Sequence, residues 1–140
     1  MAAVNVAEIA EAVKAAITAA LDGWAEAFDA DEVPGVTRGD TPGADTPQRH
    51  ATVHVLRTDL NAARRASGEV SIPVLSLRVV SHAESIANVR EIRRRVCGAL
   101  EDVALALPSG GTAGPFVFDL AEDEDDDDTG WFGVDHFTFA

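Results

Sequence analysis

The fold turns on residues 71–100, SIPVLSLRVVSHAESIANVREIRRRVCGAL. In its first part Leu75, Leu77 and Val79 alternate with Ser76, Arg78 and Val80, the period-two pattern of a strand. Then the period changes. Ile86, Val89, Ile92, Val96, Leu100, Val103 and Leu107 recur at three- and four-residue steps, which places one apolar stripe along a helix. Ser81 and Glu84 have the spacing of a capping box at its start, and Pro108, Ser109, Gly110 and Gly111 stop it. The reading is a strand over about residues 73–80 that leads into a helix over 82–106.

Upstream, residues 50–57 are β-branched and roughly alternating, a second strand expected to pair antiparallel with the first. The connection between them, residues 58–71, is longer than a tight hairpin and carries Arg64, Arg65 and Gly68, which suggests a projecting arm. Residues 33–47 hold Pro34, Pro42 and Pro47 with Gly35, Gly39 and Gly43, and read as an extended loop. Before them Val6, Ile9, Val13, Ile17, Leu21, Trp24 and Phe28 give a helix over 5–28, capped by Asn5 and Glu8 and either ended or interrupted at Gly23.

Downstream, Phe116, Phe118 and Leu120 predict a strand over 115–120, and residues 131–139 predict another. In the last one Phe132 and Val134 share one phase while Phe137 and Phe139 share the other, which a bulge near Gly133 or Asp135 would explain. The expected fold is one α+β domain over residues 1–140: an antiparallel sheet of about four strands packed against two helices, in the order α-β-β-α-β-β.

The chain has 24 acidic and 11 basic residues and a formal charge of −13, which argues against a broad basic surface for nucleic acid or anionic membrane. Seven acids form one run, Glu122, Asp123, Glu124, Asp125, Asp126, Asp127 and Asp128; the rest of the chain carries an ordinary −6. Adjacent like charges predict a solvated hairpin tip that stays in water, meets a basic partner or weakly binds divalent cations. A calcium loop of the EF-hand type is excluded, because its sixth position needs glycine and here is Asp128. Cys97 is the only cysteine, so no internal disulfide is possible. Glu8, Glu11 and Lys14 interrupt the N-terminal apolar residues, so neither a signal peptide nor a membrane span is expected.

Candidate chemistry is sparse. His50 and His54 lie roughly 13 Å apart on a strand at about 3.3 Å per residue and cannot share a metal. His82, at the expected helix start, and His136 are read as structural, and no metal or cofactor is expected. Cys97 sits beside an apolar stripe and reads as a small hydrophobe, not a nucleophile. Asp135 and His136 are neighbours on a strand and point to opposite faces, so no triad forms from them. The arginines of the second helix are more informative. Arg90 and Arg94 fall on its polar side and Glu91 pairs with Arg95 at i,i+4, but Arg93 lands inside the apolar stripe. It either snorkels from the edge of the core or pairs with an acid across a subunit interface.

TPQRHATVHVLRT (46–58), the 71–100 stretch, GPFVFDL (114–120) and GWFGVDHFTF (130–139) together resemble the tail terminator proteins of long-tailed phages. In that family a helix and an extended loop lead to paired strands, then a strand runs into a long helix rich in Ala and Arg, and two strands close the fold. The resemblance implies a virion protein without catalytic residues that forms a hexameric ring at the head-proximal end of the tail. Such a ring caps the tail tube, ends its elongation and meets the head-tail connector protein, with DNA only as cargo through the lumen and assembly in the host cytoplasm.

Arg64, Arg65, Arg90, Arg93, Arg94 and Arg95 are then candidate contacts to acids of a neighbouring subunit or the tube, and the acidic run faces a partner or the lumen. Another neck or tail-completion protein has the same expectations. The rival of a different class is an acidic DNA mimic that inhibits a nucleic-acid-binding protein; a small enzyme is the least supported.

Overall fold

The computed structural model describes residues 6–29, 48–58, 74–127 and 130–139. Helix α1 (Val6–Leu21) is followed by strands β1 (Glu26–Asp29), β2 (His50–Thr58) and β3 (Val74–Ala83). Then come helix α2 (Ile86–Leu100), the short strands β4 (Leu105–Ala106) and β5 (Thr112–Ala113), and the long strands β6 (Val117–Asp127) and β7 (Gly130–Phe139). The main sheet has five strands in the order β1-β2-β3-β7-β6. All its neighbours are antiparallel except β1 and β2, which run parallel.

Both helices pack on one face of this sheet. Val13, Ile17 and Leu21 of α1 and Val89, Ile92, Val96 and Leu100 of α2 are fully buried against Ala51, Val53 and Val55 of β2, Leu75, Leu77 and Val79 of β3, and Phe137 and Phe139 of β7. Truncating one of these aliphatic side chains to alanine costs about 2–5 kcal/mol. The opposite face presents Thr52, His54 and Leu56 of β2 and Ser76, Arg78 and Val80 of β3, and neither helix covers it.

The α+β class and the two helices agree with the sequence pattern, whereas the strand count and order do not. A fifth strand exists because α1 stops seven residues before the expected end at 28. Asp22 and Gly23 take left-handed backbone angles (φ 50° and 76°), and Trp24 N–H donates to Leu21 O at 2.9 Å. The chain then leaves the helix, and residues 26–29 alternate against β2 as β1.

At the other helix the capping box of Ser81 and Glu84 is not used. β3 continues to Ala83, which puts buried Ser81 and His82 in the sheet ladder, and Ser85 is the N-cap, its side chain accepting from Asn88 N–H at 3.2 Å. The helix also ends earlier than 106. Asp102 turns left-handed (φ 60°) and its N–H donates to Phe116 O at 2.9 Å, while Phe116 N–H donates to Val103 O at 3.3 Å. Burial of Phe116 in the core takes precedence over the helical spacing of Val103 and Leu107. Gly114 fits this crossing because a Cβ on it would meet Val103 O at 2.6 Å.

The last hairpin differs most. β7 pairs with β3 without interruption, so the bulge expected near Gly133 or Asp135 is absent from it. The phase conflict has another cause: Asp135, a carboxylate, occupies a helix-facing position in line with Phe137 and Phe139. The irregularities lie in β6, between Phe118 and Leu120 and between Glu122 and Asp125. The acidic run is not confined to a hairpin tip either. β6 extends to Asp127, with Asp125, Asp126 and Asp127 in register with Phe132, Trp131 and Gly130.

Candidate assembly surfaces

Arg93 projects from α2 toward β7, and its neighbours explain how a guanidinium can sit in an apolar stripe. Its Nε and Nη2 donate to the Asp135 carboxylate, each at 3.0 Å, its Nη2 donates to Val134 O at 3.3 Å, and its Nη1 lies 3.3 Å from Glu124 Oε1. The Arg93 side chain is 12% exposed and that of Asp135 3%. Gly133 leaves the space, since a Cβ there would stand 2.7 Å from Arg93 Nη1 and 2.9 Å from Cδ. Burial alone would lower the Arg93 pKa, but the hydrogen bonds and charge of Asp135 raise it above its ordinary value. The acid that Arg93 requires is therefore in the same chain.

The other α2 arginines are also engaged within the chain. Arg90 Nε donates to Glu124 at 3.2 Å. Arg94 Nη2 and Arg95 Nε both reach Glu91 Oε1, at 2.6 and 2.9 Å, so the expected pairing of Glu91 with Arg95 is shared with Arg94. Hydrogen bonds from Arg94 and then Arg95 hold the Glu91 carboxyl down at about 2. Arg95 also donates from Nη1 to Leu21 O at 3.1 Å and stacks on Trp24, 5.0 Å from the ring centroid. Arg49 covers the same ring at 4.7 Å and pairs with Glu84 at 2.8 Å, keeping that carboxyl below its ordinary range. Arg64 and Arg65 lie outside the described residues.

Within the acidic run the structure separates what the sequence makes uniform. The Glu124 carboxyl, held low by its own backbone N–H and by Arg90 and Arg93, turns inward to α2. Glu122 lies 3.2 Å from His136 Nε2. Asp123, Asp125 and Asp126 are exposed, and the Asp125 carboxylate accepts the neighbouring Asp126 N–H at 2.8 Å. Asp127 ends the described part of β6, and Asp128 lies outside it.

Beside these acids the same strand exposes apolar side chains, two of which, Phe118 and Leu120, are among the residues whose alternation predicted a strand here. Val117 is 55% exposed, Phe118 38% and Leu120 48%. Phe118 meets Phe137 edge-on with ring centroids 5.7 Å apart, and all three side chains remain only partly covered. β6 is the outermost strand beyond β7, so its outer backbone edge has no strand partner among the described residues. The available signal was three apolar residues within four positions, followed after Ala121 by a run of acids.

The remaining polar groups offer little catalytic machinery. Burial first, and then Asp135 and Glu101, push the half-buried Cys97 thiol up to about 11, which leaves it protonated at neutral pH. His82 is on β3, not at a helix start, and stacks on the cross-strand His50 with ring centroids 4.9 Å apart. Among the described residues no group of three or more His, Cys, Asp or Glu side chains is arranged to hold a metal ion, and no helix is long and apolar enough to cross a membrane. A shallow cleft of about 300 Å³ lies between the α1–β1 turn and residues 48–49, and Arg49 in its lining is already paired with Glu84. No protein-family model matches the chain, and no curated protein matches it at a significant level.

Proposed function

We propose that this chain is a structural, non-enzymatic subunit of a phage virion: a tail terminator that assembles as a hexameric ring on the tail tube, ends its elongation and meets the head-tail connector. The observation that carries the reading is the pair of unlike sheet edges. One edge is the four-residue β1; the other is the eleven-residue β6, apolar in its first half and acidic in its second. A cyclic ring joins two different surfaces of identical subunits, and a subunit with two dissimilar edges suits that contact better than a self-complementary one. The succession of helix, paired strands, strand into arginine-rich helix and closing strands supports the family resemblance in the same direction.

The acidic DNA-mimic reading is weaker. A mimic needs acids spread along an extended face, whereas here they gather on one strand and Glu124 is neutralised by Arg90 and Arg93. Another neck protein of the same build remains the nearest alternative. The ring reading is tested by light scattering and negative-stain imaging of the protein alone and mixed with tail tubes. Rings at tube ends and tubes of fixed length are expected; a protein that stays monomeric even with tubes present overturns the reading.

A further inference from the structure

We propose that the helix-free face of the sheet binds the acidic end of β6 from a second copy of this chain, through a row of basic side chains centred on Arg78. Arg78 stands directly opposite His54 on β2 and His136 on β7, so the three lie side by side across three strands. At about 4.8 Å between strands the row is about 10 Å wide. His54 and Arg78 are exposed, and the His136 side chain is 31% exposed. Glu122 meets His136 at 3.2 Å and closes the row on the β6 side, where Leu120 is next in register; Arg78 and His54 are its open part. Arg78 is also the exception among the arginines. Arg49, Arg90, Arg93, Arg94 and Arg95 each pair with a carboxylate of this chain, whereas Arg78 has no acid or hydrogen-bond partner among the described residues. Basic side chains set opposite one another add no attraction within a sheet; a guanidinium between two imidazoles is instead a set of N–H donors for an anion.

Charge, shape and reach select the occupant. A formal charge of −13 disfavours nucleic acid, and an open sheet surface does not enclose a small anion as a cavity would. The chain itself carries the complementary group. Asp123, Asp125 and Asp126 are exposed at the edge strand, and no cation among the described residues pairs with them, in contrast to Glu122 and Glu124 of the same run. The run does not reach Arg78 in its own copy. Asp125 opposes Phe132, which opposes His82, so it lies two strands across and four residues along from Arg78, about 16 Å at the spacings of a sheet. The acids that meet Arg78 come from another copy, whose β6 edge lies on the outside of its sheet and is free to approach a face.

The basic face and the acidic strand end are different surfaces, the heterologous kind of contact that a ring requires. This joint rests on the reading of the chain as a self-assembling subunit and says which surfaces meet. The test uses the full chain. R78E and D125R/D126R should each weaken self-association at least about tenfold by light scattering, and the three changes combined should restore it. R78Q, which removes the charge without reversing it, should weaken association less than R78E. Arg78→Lys supplies an amine that a carbodiimide joins to a carboxylate in direct contact. When light and heavy-nitrogen-labelled copies of that variant are mixed and cross-linked, mass spectrometry should find peptides that join position 78 of one copy to residues 122–127 of the other.

If the wild-type protein assembles while the variants assemble equally well and no cross-link reaches position 78, the joint is wrong and the ring reading stands. If the wild-type protein binds duplex DNA and R78E loses that binding with self-association unchanged, the face takes nucleic acid and the joint is again wrong. If the wild-type protein does not associate even with tail tubes, both fall. Circular dichroism and thermal melting of each variant separate lost contact from lost fold.

Discussion

The last hairpin holds two kinds of aspartate. Asp135 on β7 is enclosed, 3% exposed at its side chain, and accepts two hydrogen bonds from Arg93. Asp125 on β6, opposite Phe132 in the same ladder, is exposed and accepts the next backbone N–H. The enclosed carboxylate fixes α2 on the sheet and specifies the fold, whereas the exposed one contributes little to stability and is available to another molecule. Acidity in the sequence thus has no single meaning; which side of the sheet a residue faces decides whether it is paired within the chain or left in solvent.

The sharpest way to break this contrast is to remove the enclosed acid. Asp135→Ala leaves Arg93 buried with only Glu124 beside it and should cost about 3–5 kcal/mol in urea unfolding. Replacing both partners, R93M with D135L, should cost less than that single change, because no uncompensated charge remains. A smaller loss, about 1–3 kcal/mol, is expected for Gly133→Ala, whose new methyl group pushes on the Arg93 side chain. Ser81 sharpens the comparison from the opposite direction. Its hydroxyl is buried with no hydrogen-bond partner among the described residues, so Ser81→Ala should raise stability by about 1 kcal/mol.

On the exposed side, Leu120→Ser should leave unfolding free energy within about 0.5 kcal/mol of wild type while reducing self-association. The smallest effect belongs to Glu91, a partly exposed acid satisfied within its own helix. Its carboxyl is lowered from 4.5 to about 2, so its contribution to stability is complete above about pH 4.5 and lost as pH falls toward 2. Glu91→Gln should flatten the acid limb of the stability curve in that window, read by thermal melts at a series of pH values.

Much of the fold was legible because burial is periodic. The stripes through Ile9, Val13 and Ile17 and through Val89, Ile92 and Val96 identify the helices, and Leu75, Leu77 and Val79 identify the central strand. What was not legible depends on partners distant in sequence. β1 exists only because β2 offers it an edge, and Val103 and Leu107 keep helical spacing but yield to the burial of Phe116. The alternation around Asp135 was misread because a core-facing carboxylate is invisible to hydropathy until Arg93 is placed above it. At the candidate surface the acids were visible, but the exposure of Val117, Phe118 and Leu120 was not, since an apolar residue on an edge strand looks the same in sequence as one in a core.

Trp24 lies between the guanidinium groups of Arg49 and Arg95, while Arg95 also holds the last carbonyl of α1 and Arg49 holds Glu84 just ahead of α2. This clasp joins the end of the first helix, the second helix and the approach to β2. Opening α1 alone would therefore strip the indole of both cations and free a helix-terminal carbonyl at the same time. The two helices should open as a single cooperative unit, with their slowest-exchanging amide protons lost together and the fluorescence of Trp24 changing in the same step.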